Sequence, residues 1–171
     1  HKPDDLINGD CKACLAIGMF DGVHLGHQQV LRQAIKDSHR HEARSVAVTF
    51  DRHPATVIAP GRAPALLQTR AQRLRTIESQ GIDAALLIKF DKAFSRKPGA
   101  EFVQELADGF GTIHSICVGV NFAFGHKRDG NVDLLRTLGQ ALSFHVHGLR
   151  AVSLDGQAVS STRIRVDSGG R

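Results

Sequence analysis

Cys14-Leu15-Ala16-Ile17-Gly18-Met19-Phe20-Asp21-Gly22-Val23-His24-Leu25-Gly26-His27 is the stretch on which the fold turns. Its first four residues form a short apolar run of the kind that reads as a strand buried on both faces. A glycine-bearing turn follows, and beyond it Val30, Leu31, Ala34 and Ile35 recur at helical spacing. Strand, turn and helix in that order open a parallel α/β unit, where ligands bind outside the carboxyl ends of the strands. Gly22 and Gly26 let backbone approach a ligand closely. His24 and His27 stand three apart at the start of the helix, so their side chains fall on one side of it. The N–H groups and positive dipole end of a first helical turn favour phosphate, and two imidazoles beside them are placed to donate to a polyphosphate. An H-x-x-H pair is also compatible with a metal pair or with two polar surface residues. The stretch lacks the G-x-x-x-x-G-K-[ST] loop and the G-x-G-x-x-G turn, which argues against a nicotinamide-dependent dehydrogenase.

Working outward, further apolar runs at Ser45–Phe50, Ala84–Lys89, Ile113–Gly119 and Phe144–Leu149 alternate with amphipathic stretches. Thr69 and Gln72 have capping-box spacing, with Leu74 and Ile77 as the apolar face and Gly81 as the stop. Pro98 precedes a helix holding Phe102, Val103, Leu106 and Ala107 and ending near Gly109; Asp129 or Asn131 caps another holding Val132, Leu135 and Leu138. Asp155-Gly156 between Val152–Leu154 and Ala158–Val159 predicts a hairpin turn. No repeat, low-complexity tract or linker interrupts the pattern. The expected architecture is a single α/β domain over 13–171, a Rossmann-like doubly wound parallel sheet, after an irregular polar segment at 1–12.

Composition bounds the chemistry. The chain has 171 residues, 22 Lys and Arg against 17 Asp and Glu, a net charge of +5, and neither Trp nor Tyr. That balance suits anionic ligands such as nucleotides. The cations are spread along helices rather than clustered, and stacking platforms are scarce, so nucleic acid is an unlikely partner. No apolar run is long enough to span a bilayer and no signal peptide is evident, so the expected location is the cytoplasm. Cys11 and Cys14 form a C-x-x-C, but only Cys117 remains to pair with them; a buried cysteine in a strand is the plainer reading than zinc or a redox dithiol. His39, His41, His145 and His147 read as exposed or hydrogen-bonded structural histidines.

The segment Phe20-Asp21-Gly22-Val23-His24-Leu25-Gly26-His27 resembles the H-x-G-H signature of the nucleotidyltransferases and, in this longer form, that of bacterial FAD synthetase. Three more segments agree in order. Thr49-Phe50-Asp51-Arg52-His53-Pro54 is similar to the family's T-F-[DE]-P-H-P, Val118-Gly119-Val120-Asn121-Phe122-Ala123-Phe124-Gly125 to its V-G-x-[DN]-F-x-F-G, and Ser160-Ser161-Thr162-Arg163-Ile164-Arg165 to its S-S-T-x-I-R. The resemblance implies adenylyl transfer from ATP to FMN, giving FAD and pyrophosphate. It implies catalytic roles for His24, His27, Asn121 and Arg165. It assigns ATP to Gly18, Phe20, Asp21, Gly22, His24, Gly26, His27, Ser160, Ser161, Thr162 and Arg165, and FMN to Phe50, Asp51, His53, Pro54, Asn121, Phe122 and Phe124. Phe122 and Phe124 alternate in an extended stretch, so one can face a ligand while the other packs inside. Mg2+ is expected to accompany ATP, and no metal-holding residue is assigned. Arg52 replaces a family proline and Ala123 a frequent arginine, changes that bear on the flavin contacts. Bacterial FAD synthetases carry a riboflavin kinase domain after S-S-T-x-I-R; six residues follow Arg165 here, so no such domain is expected in this chain and FMN would come from a separate riboflavin kinase. Another H-x-G-H transferase, or a catalytically silent flavin- or nucleotide-binding module, is the alternative.

Overall fold

The computed structural model describes residues 11–22, 25–150, 153–154 and 157–158. Five parallel strands form one sheet: β1 (Cys11–Ile17), β2 (Arg44–Phe50), β3 (Ala84–Ile88), β4 (Gly111–Gly119) and β5 (His145–Leu149), in the order β3-β2-β1-β4-β5. The expected doubly wound architecture is what these strands build. Chain order runs outward from β1 in both directions, so the topological switch point lies between β1 and β4. β1 starts at Cys11, inside the segment expected to be irregular, because Cys11 and Lys12 find ladder partners in Gly111 and Thr112.

Strand alternation divides the core in two. Ala13, Leu15 and Ile17 of β1, with Val46, Val48, Ile116 and Val118, pack on one face against Phe102, Val103, Leu106 and Phe110 of α5 (Gly99–Phe110) and Val132 and Leu135 of α6 (Val132–Leu142). Ala16, Ala47 and Cys117 point to the other face, under Val30, Leu31 and Ala34 of α1 (Leu25–His41) and Ile77 of α3 (Arg70–Ser79). The small residues on that second face let α1 lie close over the sheet. Two short helices, α2 (Ala55–Ile58) and α4 (Lys92–Ser95), follow β2 and β3. Strands β6 (Ser153–Leu154) and β7 (Gln157–Ala158) form the expected antiparallel pair, with Asp155-Gly156 outside the described residues.

Local signals place the helices. The Thr69 hydroxyl accepts from the Gln72 amide (3.1 Å) while the Gln72 side chain accepts from the Thr69 amide (2.9 Å), a complete capping box. Asn131 caps α6 through the Leu134 amide (2.9 Å), whereas Asp129 accepts from the Gly99 amide (2.9 Å) and so fixes the start of α5. That helix runs one residue beyond Gly109 and stops at Gly111, whose φ of 91° favours glycine. Register shifts between Ala13 and Cys14, whose partners are Ile113 and Ser115, leaving His114 as an extra residue that stacks on His41 at 4.7 Å.

Cys14, Cys117 and His147 sit in structural contacts. Cys14 and Cys117 are fully buried, and burial pushes both thiols up, opposite to what a reactive thiolate requires. His147 reaches the buried carboxylate of Asp37 at 3.0 Å, joining β5 to α1, while His39 and His145 are exposed.

Candidate nucleotide site at the switch point

A cleft of about 230 Å³ opens where β1 and β4 end. Its β1 wall is Gly18, Met19 and Phe20, and its β4 wall is Val120, Asn121 and Phe122. His27 and Val30 face it from α1, and Leu149 and Arg150 from the end of β5. The turn that forms the first wall is held tightly. Gly18 donates its amide to the Val48 carbonyl at 3.1 Å, and a Cβ at Gly18 would stand 3.2 Å from the Phe20 ring. Phe20 itself adopts φ 54°, a left-handed conformation that costs a non-glycine residue on the order of 1–2 kcal/mol. Burial to 1% exposure and an edge-on contact with the His27 ring (centroids 5.4 Å apart) offset that cost. The strained turn therefore packs directly against the imidazole it accompanies in sequence.

Asp21 is 1% exposed, and its carboxylate accepts from the backbone amides of Leu67 (3.0 Å) and Gln68 (3.2 Å). The Gln68 side chain returns the contact by accepting from the Gly22 amide at 3.2 Å. Gly22 has φ 77°, and a Cβ there would meet Leu67 at 2.8 Å. The D-G of the H-x-G-H segment thus fastens the turn to the chain that enters α3.

Of the residues expected to bind ATP, Gly18, Phe20 and His27 line this cleft, and Asn121 and Phe122 of the expected FMN group face them. Phe124 is buried in the core against Phe102, so its ring is not open to a flavin as the FMN assignment implied, while Phe122 stacks on it at 5.4 Å and borders the cleft. His24, Ser160, Ser161, Thr162 and Arg165, and the surroundings of Gly26, lie outside the described residues.

The segment after β2 is less open than its sequence implies. Phe50 is 6% exposed within a cluster of Phe90, Phe94 and Phe102, with ring centroids 5.9–6.4 Å away. It supports this region from the core instead of presenting its ring as a wall. Asp51 accepts from the Phe90 amide at 2.8 Å, and His53 accepts through Nδ1 from the Ala55 amide at 3.0 Å, just after Pro54 at the N-cap of α2. Apolar surface on this arm comes from Ile58 (64% exposed) and Leu66 (38%), which sequence reasoning passed over. Arg150 was also missed, since a lone cation at a strand end carries no motif.

No group of three or more His, Cys, Asp or Glu is placed to hold a metal ion among the described residues. The carboxylates of the two motif loops, Asp21 and Asp51, already accept from backbone amides. No helix among the described residues is long and apolar enough to cross a membrane.

A five-stranded parallel sheet with a cleft at its switch point defines a Rossmann-like α/β protein. Residues 7–163 match the sequence model of the FAD synthetase family, and the chain belongs to that family. It is 37% identical over 156 residues to the bifunctional riboflavin kinase/FMN adenylyltransferase of Pseudomonas fluorescens, covering 90% of this chain and 50% of that protein. The protein of the same name from Haemophilus influenzae is 30% identical over 165 residues, covering 96% of this chain and 53% of the relative. The chain thus spans about half the length of these curated relatives. Among solved structures, the crystal structure described as a macrolide-efflux protein from Streptococcus pneumoniae superposes with a TM-score of 0.79 at 23% identity, over 97% of this chain and 55% of that one. At that identity the likeness concerns the fold alone.

Proposed function

We propose that this chain transfers the AMP moiety of ATP to FMN, releasing pyrophosphate and forming FAD. The observation that carries this reading is the cleft itself. Gly18, Phe20 and His27 on one side and Asn121 and Phe122 on the other, far apart in sequence, line one cleft in a member of the FAD synthetase family, which supports this reading.

The chemistry asks little acid–base work of the protein. A phosphate oxygen of FMN attacks the α-phosphorus of ATP and forms the new P–O bond. The bond from that phosphorus to the β-bridging oxygen breaks, and pyrophosphate leaves with the electron pair. Alignment and charge stabilisation supply the rate. In the proposed arrangement His24 and His27 donate to the triphosphate beside the first turn of α1. Arg165 and the Ser160–Thr162 turn hold its β- and γ-phosphates, with a planar guanidinium matching two oxygens at once. Asn121 orients the acceptor phosphate, and Phe122 borders the flavin. Magnesium accompanies ATP as part of the substrate, held chiefly by the phosphate oxygens and water. FMN is the product of a kinase acting on riboflavin, the activity paired with FMN adenylyltransfer in the relatives' names.

The test is incubation with FMN, ATP and magnesium, with FAD and pyrophosphate separated chromatographically and counted. Equimolar FAD and pyrophosphate are expected. Hydrolysis of ATP without FAD, or ligand binding without turnover, would overturn the reading.

A further inference from the structure

Arg73 is a cation in the middle of α3, where a polar helix face would leave it in water. It is instead 1% exposed and among the largest fully buried side chains. Its guanidinium donates to the Met19 carbonyl at 3.1 Å and, through its other terminal nitrogen, to the Phe50 carbonyl; the Met19 sulfur lies 3.4 Å away. Those two carbonyls belong to segments far apart in the chain. Met19 follows β1 in the turn that lines the nucleotide cleft, and Phe50 ends β2 at the start of the T-F-D-R-H-P segment. The Thr49 hydroxyl, from β2, donates to the same Met19 carbonyl at 3.0 Å. Burial lowers the arginine's proton affinity, and the charges of Asp21 and Asp51, one from each loop, act against that, as Arg70 acts with it.

A buried charge is costly unless it is paired and hydrogen-bonded; here the two terminal nitrogens have their carbonyls while Nε has no partner among the described residues, so the arginine is held at its fork alone. A planar fork with two donor arms can fix the separation and angle of two carbonyls; an ammonium cannot. The two segments it joins carry the residues assigned to the two substrates: Gly18–Gly22 on the ATP side and Asp51–Pro54 on the FMN side.

We infer that Arg73 is a positioning residue that locks the nucleotide turn to the flavin segment, and so sets the approach of the FMN phosphate to the α-phosphorus. This inference rests on the FMN adenylyltransferase reading above. In-line transfer depends on such alignment, and misplacement by about 1 Å costs on the order of 10²-fold in rate. Each ligand, by contrast, contacts its own loop and keeps most of its affinity when the two loops slip relative to each other.

The test compares wild type with Arg73→Lys and Arg73→Gln, well below the melting temperature of each. Expected is a kcat lowered about 10- to 100-fold, with Kd for ATP and for FMN, titrated separately, within about threefold of wild type. Amide hydrogen exchange should quicken at residues 19–22 and 51–53 and stay at wild-type rates across the rest of the sheet. A lowered melting temperature with unchanged kcat per folded molecule, or exchange quickened throughout, would overturn the inference by making Arg73 merely structural. Failure of both variants to fold would do the same. Should wild type make no FAD, the functional reading falls, while the exchange pattern in the two segments still decides the role of Arg73.

Discussion

Asp21→Asn separates two roles that the sequence leaves entangled, since an aspartate in the H-x-G-H segment reads as a substrate ligand. In the structure its carboxylate accepts from Leu67 and Gln68, with Oδ1 serving both amides and Oδ2 also 3.0 Å from the Leu67 nitrogen. Asparagine with its oxygen in the Oδ1 position keeps both contacts but in neutral form. Hydrogen bonds to charged groups contribute about 1.5–3 kcal/mol each against about 0.5–1.5 for neutral ones, so the two bonds lose about 2 kcal/mol together. The amide NH2 then faces the Leu67 N–H, donor to donor, and Arg73 loses a carboxylate that favours its charge. A total of about 2–3 kcal/mol follows, and for a chain of this length that lowers Tm by about 4–12 °C. The assay is thermal and urea unfolding of protein free of nucleotide and flavin, because a residue that merely touches ATP leaves the stability of the empty protein unchanged. A Tm within about 1 °C of wild type, coupled with lost ATP affinity, would refute the assignment of Asp21 as a loop clamp.

Other expectations follow from the same geometry. His27→Ala should lower turnover by about 10²–10³, the loss seen when one donor to a developing charge is removed, measured well below a Tm that itself falls a few degrees because the ring packed on Phe20 is gone; a raised KM for ATP at constant kcat would limit His27 to ground-state binding. Gly125→Ala should destabilise by more than about 2 kcal/mol, because a left-handed residue there (φ 80°) would set its Cβ against the Gly99 backbone nitrogen at 2.5 Å; urea titration with an unchanged midpoint would contradict it. Burial, reinforced by His41 and Lys12, holds His114 below its ordinary value of 6.5. The unfolded chain therefore binds the proton first as pH falls: the stability His114 contributes is complete above about pH 6.5 and is lost as pH drops toward the folded-state value. His114→Gln should flatten the decline in stability between pH 7.5 and 5.5, and parallel curves for wild type and variant would show that the stacked pair is not responsible.

Much of this was legible in the sequence because local patterns and tertiary demands agree. A run such as Ser45–Phe50 buries both faces in a covered parallel sheet, and the Thr69–Gln72 box and Asn131 cap act within one turn of their own helix. The Gly18–Phe20 turn and the Asn121–Phe122 stretch were readable as neighbours because each lies at a strand end, and the switch point of the sheet brings β1 and β4 side by side, so both line one cleft. What tertiary structure alone decided depends on partners distant in the chain. Phe50 is aromatic and belongs to a motif, yet Phe90, Phe94 and Phe102 enclose it, and nothing in its own neighbourhood announces them. Asp21 becomes a clamp only because Leu67 and Gln68 turn their amides toward it across 46 and 47 residues. Arg73 lies in a helix whose apolar face reads from Leu74 and Ile77, with the arginine beyond it, and only the placement of α3 over the ends of β1 and β2 turns that cation inward, onto two carbonyls 54 and 23 residues away. Helical periodicity records which residues share a face; it does not record what that face will meet.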